Sequence, residues 1–73
     1  MKKLTIKITS PPDREELVAE IWDKDQMIAE LNQESENLEL EVYCSESSIQ
    51  LDYESFLNAL IEAKKKLKAE NPI

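Results

Sequence analysis

The chain of 73 residues contains no histidine and no glycine. Without histidine it lacks the side chain that most often transfers protons near neutral pH and that most often binds metals. Without glycine it cannot form the glycine-rich loops that hold the phosphates of nucleotides. Cys44 is the only cysteine, and with no imidazole to activate it we expect a small buried side chain rather than a nucleophile. These absences predict a protein that is not an enzyme and that uses no metal or other cofactor.

Long apolar runs are also missing, since no segment approaches the roughly 18 apolar residues that cross a bilayer. The N-terminal sequence Met-Lys-Lys-Leu-Thr-Ile-Lys begins like a secretion signal, but Lys7 interrupts its apolar part and no small-residue cleavage site follows. A single cysteine gives no sign of an oxidising compartment. The sequence therefore predicts one small cytoplasmic domain that does not associate with membranes.

Basic residues are few and unevenly placed. The formal net charge is −7, and all but two of the 16 acidic residues lie between Asp13 and Glu54, where Arg14 and Lys24 are the only basic residues. Such a field repels nucleic-acid backbones and attracts basic protein surfaces. We therefore expect a protein partner and no nucleic acid, although an acidic surface of this kind is more often simply solvated.

Two segments alternate between apolar and polar residues, as half-buried strands do. The first is residues 3–9, KLTIKIT, and the second is residues 37–44, NLELEVYC. On one face the second segment carries Leu38, Leu40, Val42 and Cys44.

From Asp52 onward the apolar spacing becomes that of a helix, which we predict over about residues 53–70. Asp52 is a suitable N-cap, and the lysines at 64–68 lie where the helix dipole favours cations. The expected core-facing residues are Tyr53, Phe56, Leu57, Leu60, Ile61 and Leu67.

Residues 12–32 fit either one helix or two strands. Helix propensity favours the helix, which would give a βαβα sandwich. Strands at about 17–23 and 26–33, joined by a turn at 23–25, would instead give an α+β domain: a four-stranded antiparallel β-meander with one C-terminal helix on one face. A two-residue turn would place a residue other than glycine at positive φ, which longer loops avoid.

The runs ITSPPDREELVAEIW and AELNQESENLELEVY, followed by an acidic-led helix, resemble a group of small bacterial proteins with a β-meander and one helix. Some compact cytoplasmic immunity proteins, which neutralise the toxins of competing bacteria, have this size and acidity. The resemblance covers nearly the whole chain and favours the meander. It implies an immunity or inhibitor function and assigns no functional residue.

Trp22 is the residue that most clearly indicates a binding surface. In the meander it points away from the face of Ala19 and Ile21, and so lies on the sheet face that the helix leaves open, near Ile28 and Tyr43. Aromatic residues with an acidic rim are typical of a binding hot spot, although Trp22 could equally close the edge of the core. The predicted partner-binding residues are Trp22, Tyr43, Glu20, Glu30, Glu39 and Glu41.

Two functions stay open at this point. The first is an acidic inhibitor or immunity protein whose open sheet face or acidic loops bind a basic toxin, such as a nuclease. The second is a homodimeric accessory or structural module that pairs through a strand edge or through the face of Trp22.

Overall fold

The computed structural model describes residues 3–13, 15–44 and 48–70. Its elements are β1 (Thr5–Thr9), β2 (Val18–Asp23), β3 (Gln26–Asn32), β4 (Glu39–Val42) and α1 (Tyr53–Glu70). The strands form one antiparallel sheet in the order β1-β2-β3-β4. The predicted α+β arrangement is confirmed, and the alternative helix across residues 12–32, with its βαβα sandwich, is wrong.

β2 and β3 form strands although their composition favours a helix. The reason is tertiary: Ala19 and Ile21 of β2 are fully buried, and Ala29 and Leu31 of β3 continue the same apolar layer. Packing of this kind overrides the small differences in helix propensity.

A tight hairpin joins β2 to β3, and its two loop residues are Lys24 and Asp25. Asp23 pairs with Gln26 and is the last residue of β2. Lys24 has a φ of 61°. This is the left-handed region, where glycine and asparagine are the usual residues of a two-residue hairpin. The chain therefore uses the short turn and accepts a lysine in an unfavourable conformation.

A β-bulge interrupts the pairing of β2 with β3. Ile21 pairs with Ala29 and Trp22 pairs with Met27, so that Ile28 is the extra residue. Ile28 is 1% exposed and belongs to the core cluster. The expectation that Ile28 accompanies Trp22 on the open face is wrong, because the bulge shifts the alternation of β3 by one residue and places Met27 opposite Trp22.

α1 packs across β1 and β2, with Ala59, Ala63 and Leu67 buried and with Phe56 and Leu60 half-buried against the core. The two alanines lie at the centre of the contact, where small side chains allow the helix to approach the sheet closely.

The core-facing side of α1 is consequently rotated from the predicted one. Tyr53 is 71% exposed and Ile61 is 52% exposed, and Leu57 is also exposed. These three side chains lie on one flank of the helix instead of beneath it.

The helix leaves the β4 part of its own sheet face uncovered. Leu40 pairs with Leu31 and Val42 with Ala29, so both point to the side of the core, yet they are 45% and 49% exposed. Cys44 is exposed as well, and the prediction of a buried cysteine is wrong. The cause is the same in each case, because β4 lies at the sheet edge that is far from α1. Within the described residues, no helix is long and apolar enough to span a membrane.

Candidate functional site: the acidic sheet face

The sheet face opposite α1 carries a row of charged side chains, one from each strand. Lys7 of β1 lies opposite Glu20 of β2, Glu20 lies opposite Glu30 of β3, and Glu30 lies opposite Glu41 of β4. Side chains that are directly opposite in neighbouring strands have Cβ atoms about 4.5–5.5 Å apart. We call Glu20, Glu30 and Glu41 the acidic row; Lys7 stands at one end of it.

Trp22 and Glu20 form one end of this face. The indole Nε1 of Trp22 donates a hydrogen bond of 3.0 Å to Glu20 Oε1, and the Thr9 hydroxyl donates one of 3.2 Å to Glu20 Oε2. Lys7 Nζ lies 4.6 Å from the centroid of the Trp22 ring, within the range of a cation–π interaction. Trp22 thus faces away from the helix as predicted, and its ring is held in a defined position by its neighbours.

Tyr43 connects the other two members of the acidic row. Its hydroxyl donates a hydrogen bond of 3.1 Å to Glu41 Oε1 and lies 3.5 Å from Glu30 Oε1. The contact with Glu41 is the shorter one, and Glu41 is exposed whereas Glu30 is only 6% exposed. A buried carboxylate flanked by two others costs stability, because both desolvation and like charge disfavour it.

Glu39 lies on the same face but next to Asn32 instead of another acid, and its Oε2 accepts a hydrogen bond of 3.1 Å from the Ser35 hydroxyl. The six predicted residues therefore share one sheet face. Their exposure differs: Glu39 and Glu41 are exposed, Glu20, Trp22 and Tyr43 are half-buried, and Glu30 is buried.

Asp52 has a clearly shifted pKa and lies outside this face. The backbone N–H of Ser55 donates a hydrogen bond of 2.9 Å to Asp52 Oδ2, which lowers the pKa of Asp52 below its usual 3.8. Asp52 is therefore the N-cap that the sequence predicts, with a structural role.

Among the residues that the structure describes, no three histidine, cysteine, aspartate or glutamate side chains are grouped so as to hold a metal ion. The acidic row differs from such a group because its carboxylates extend in a line across three strands.

A second surface, which sequence analysis missed, lies on the other side of β4. Leu38, Leu40 and Val42 are exposed there, beyond the part of the sheet that α1 covers. Lys64 of α1 lines a concave site together with Leu38. We call this surface the apolar strip; it consists of Leu38, Leu40 and Val42. The sequence signal for it is the alternation in residues 37–44, which places Leu38, Leu40 and Val42 on one face.

No protein-family model, curated protein or solved structure matches the chain. The structure alone therefore describes the class of protein: a small α+β domain with an acidic sheet face and an adjacent apolar strip. The resemblance to immunity proteins stays a prediction.

Proposed function

We propose that this protein is a small protein-binding domain that uses its acidic sheet face to bind a basic surface of another protein. The observation that carries the proposal is the register of Glu20, Glu30 and Glu41, which lie opposite one another on three successive strands. Like charges directly opposite in a sheet destabilise it. Residues that reduce stability are expected at functional sites, so a role in binding would explain why the acidic row is present.

A basic partner would remove the electrostatic repulsion within the acidic row. Lysine or arginine side chains placed between the carboxylates would replace repulsion by attraction. Trp22 and Tyr43 flank the row and offer aromatic contact area that loses little side-chain entropy on binding. The net charge of −7 would also accelerate the encounter with a basic partner.

An inhibitor or immunity protein, acting in the cytoplasm on a basic toxin, is the form of this proposal that the resemblance favours. A toxin that cleaves nucleic acid needs a basic surface to bind phosphates. A line of carboxylates on a rigid sheet can occupy such a surface and exclude the substrate.

The test is to express the protein with the product of each neighbouring gene and to measure the association rate of any complex as a function of salt. We expect an association rate that falls as salt rises, and a further fall in Glu20→Gln and Glu41→Gln. Asp25→Asn and Glu62→Gln are matched controls, because they remove the same charge at exposed positions outside the face. Absence of any complex, a rate that salt does not change, or equal effects of all four substitutions would contradict the proposal.

A further inference from the structure

β4 ends the sheet, and in the described part of the chain it pairs only with β3. The N–H of Tyr43 donates to the carbonyl of Ile28 at 2.8 Å. Backbone groups alternate in direction along an antiparallel strand, so the N–H of Glu41 also points to β3, whereas those of Leu40 and Val42 point outward. The outer edge of β4 therefore presents donors and acceptors to a further strand.

The two sides of this edge differ sharply in chemistry. On the α1 side, Leu40 and Val42 of the apolar strip are exposed. On the opposite side, Glu39 and Glu41 are exposed and Glu41 ends the acidic row. Because successive residues of a strand point to opposite faces, an added strand would place alternate side chains on these two surfaces.

We propose that the edge of β4 binds an extended segment of a partner protein, in which apolar residues alternate with lysine or arginine, as a fifth strand of the sheet. This inference rests on the proposed function and names the part of the partner that is recognised. The apolar side chains of the segment pack on Leu40 and Val42, and its basic side chains face Glu39 and Glu41. Backbone hydrogen bonds hold the segment, and the two surfaces select its sequence.

A second copy of this chain fits the edge less well. Two antiparallel β4 strands would bring Glu39 and Glu41 of one copy beside the same residues of the other, which is unfavourable. β1 has the required alternation, but its apolar residues Ile6 and Ile8 already pack against the core under α1. Charge and burial therefore both favour a different protein as the occupant.

The probe is a soluble peptide of about eight residues in which valine alternates with lysine, long enough to span β4 at about 3.3 Å per residue. The control is the same peptide with glutamate in place of lysine. We expect the lysine peptide to bind at least about tenfold more tightly. Amide hydrogen exchange locates it: the N–H groups of Leu40 and Val42 become protected, whereas that of Tyr43, already bonded to β3, changes little.

Two pairs of variants separate the contributions. Leu40→Pro removes the outward donor without removing a bond to β3, and Leu40→Ala keeps the donor while shortening the side chain; we expect a much larger loss of binding from the first. Glu41→Lys reverses the charge beside the edge and should weaken binding of the lysine peptide about five- to tenfold, whereas Glu62→Lys makes the same change on α1 and should not. Circular dichroism checks that each variant is folded.

Protection confined to Leu40 and Val42, together with the predicted order of the peptides, supports the inference. No binding of the lysine peptide, binding elsewhere on the molecule, or self-association through β4 in light scattering would overturn it. The proposed function is tested separately with Glu20, two strands away from the edge. If Glu20→Gln weakens the complex with the basic partner and Leu40→Pro does not, the acidic face binds and the edge does not.

Discussion

The hairpin between β2 and β3 allows a sharp prediction, because one residue in it is in the wrong conformation for its type. Lys24 is the first of two loop residues and has a φ of 61°. In this region the Cβ atom is close to the following carbonyl oxygen, which costs roughly 1–2 kcal/mol for any residue except glycine. The substitution Lys24→Gly removes the Cβ atom and with it this cost.

The net stabilisation expected from Lys24→Gly is smaller than the conformational cost that the substitution removes. Glycine loses more conformational freedom on folding than other residues, roughly 0.5–1 kcal/mol relative to alanine. The central values of the two ranges differ by about 0.75 kcal/mol, and a stabilisation of that size raises the midpoint of thermal unfolding of a domain of this size by roughly 3–6 °C. Differential scanning calorimetry or thermal circular dichroism at neutral pH measures it directly.

Two matched variants separate the backbone effect from that of charge. Lys24→Ala removes the same charge but keeps the Cβ atom, and its free energy of unfolding should remain within about 0.5 kcal/mol of the parent protein. Asp25→Gly introduces glycine at the neighbouring loop position, which has no positive φ, and should destabilise the hairpin. Equal unfolding midpoints for Lys24→Gly and Lys24→Ala would refute the reasoning.

Three further predictions concern the row, the helix cap and the core. Glu30→Gln should raise the free energy of unfolding by roughly 0.5–1 kcal/mol, because it removes the middle of three opposed charges. Chemical denaturation should show that this gain shrinks as salt screens the charges of the acidic row. Glu39→Gln should give no such gain. Asp52→Asn keeps an N-cap side chain but cannot ionise. Because the folded pKa of Asp52 is lowered, its charge stabilises the native state above the ordinary pKa of 3.8, and this contribution disappears as pH falls through the lowered value. Thermal unfolding should therefore show the parent protein more stable than Asp52→Asn at neutral pH and no such advantage at pH about 2. Ile21→Ala should cost about 2–5 kcal/mol in chemical denaturation, because Ile21 is fully buried, whereas Leu40→Ala on the exposed strip should change little.

Much of the fold follows from local pattern alone. Strict alternation in residues 3–9 and 37–44 identifies β1 and β4, and the helical spacing after Asp52 identifies α1. β2 and β3 needed more than propensity, since their composition favours a helix. Their apolar residues make sense only as the centre of a sheet, where Ala19 and Ile21 face the helix.

What the sequence could not supply depends on where α1 lies and on the bulge. Alternation shows that Leu40 and Val42 share a face, but it does not show that α1 stops at β2 and leaves them exposed. Similarly, a bulge at Ile28 shifts the register by one residue without any local signal, since no glycine marks it. The six residues proposed for binding share one face because the strands pair as expected, whereas the exposure of the apolar strip depends on how far α1 covers the sheet.

The acidic row and the edge of β4 meet at Glu41, so binding at this edge should also change how well ordered β4 is. All four residues of β4 are exposed and, within the residues that the structure describes, the strand pairs with β3 alone, so it should have the least protected amides of the sheet. A bound strand would give β4 a second neighbour, cover Leu40 and Val42, and bring positive charge to Glu41. Each of these changes removes a term that is unfavourable in the unbound protein. Binding should therefore raise the apparent stability with the logarithm of the ligand concentration above Kd, and most strongly at β4.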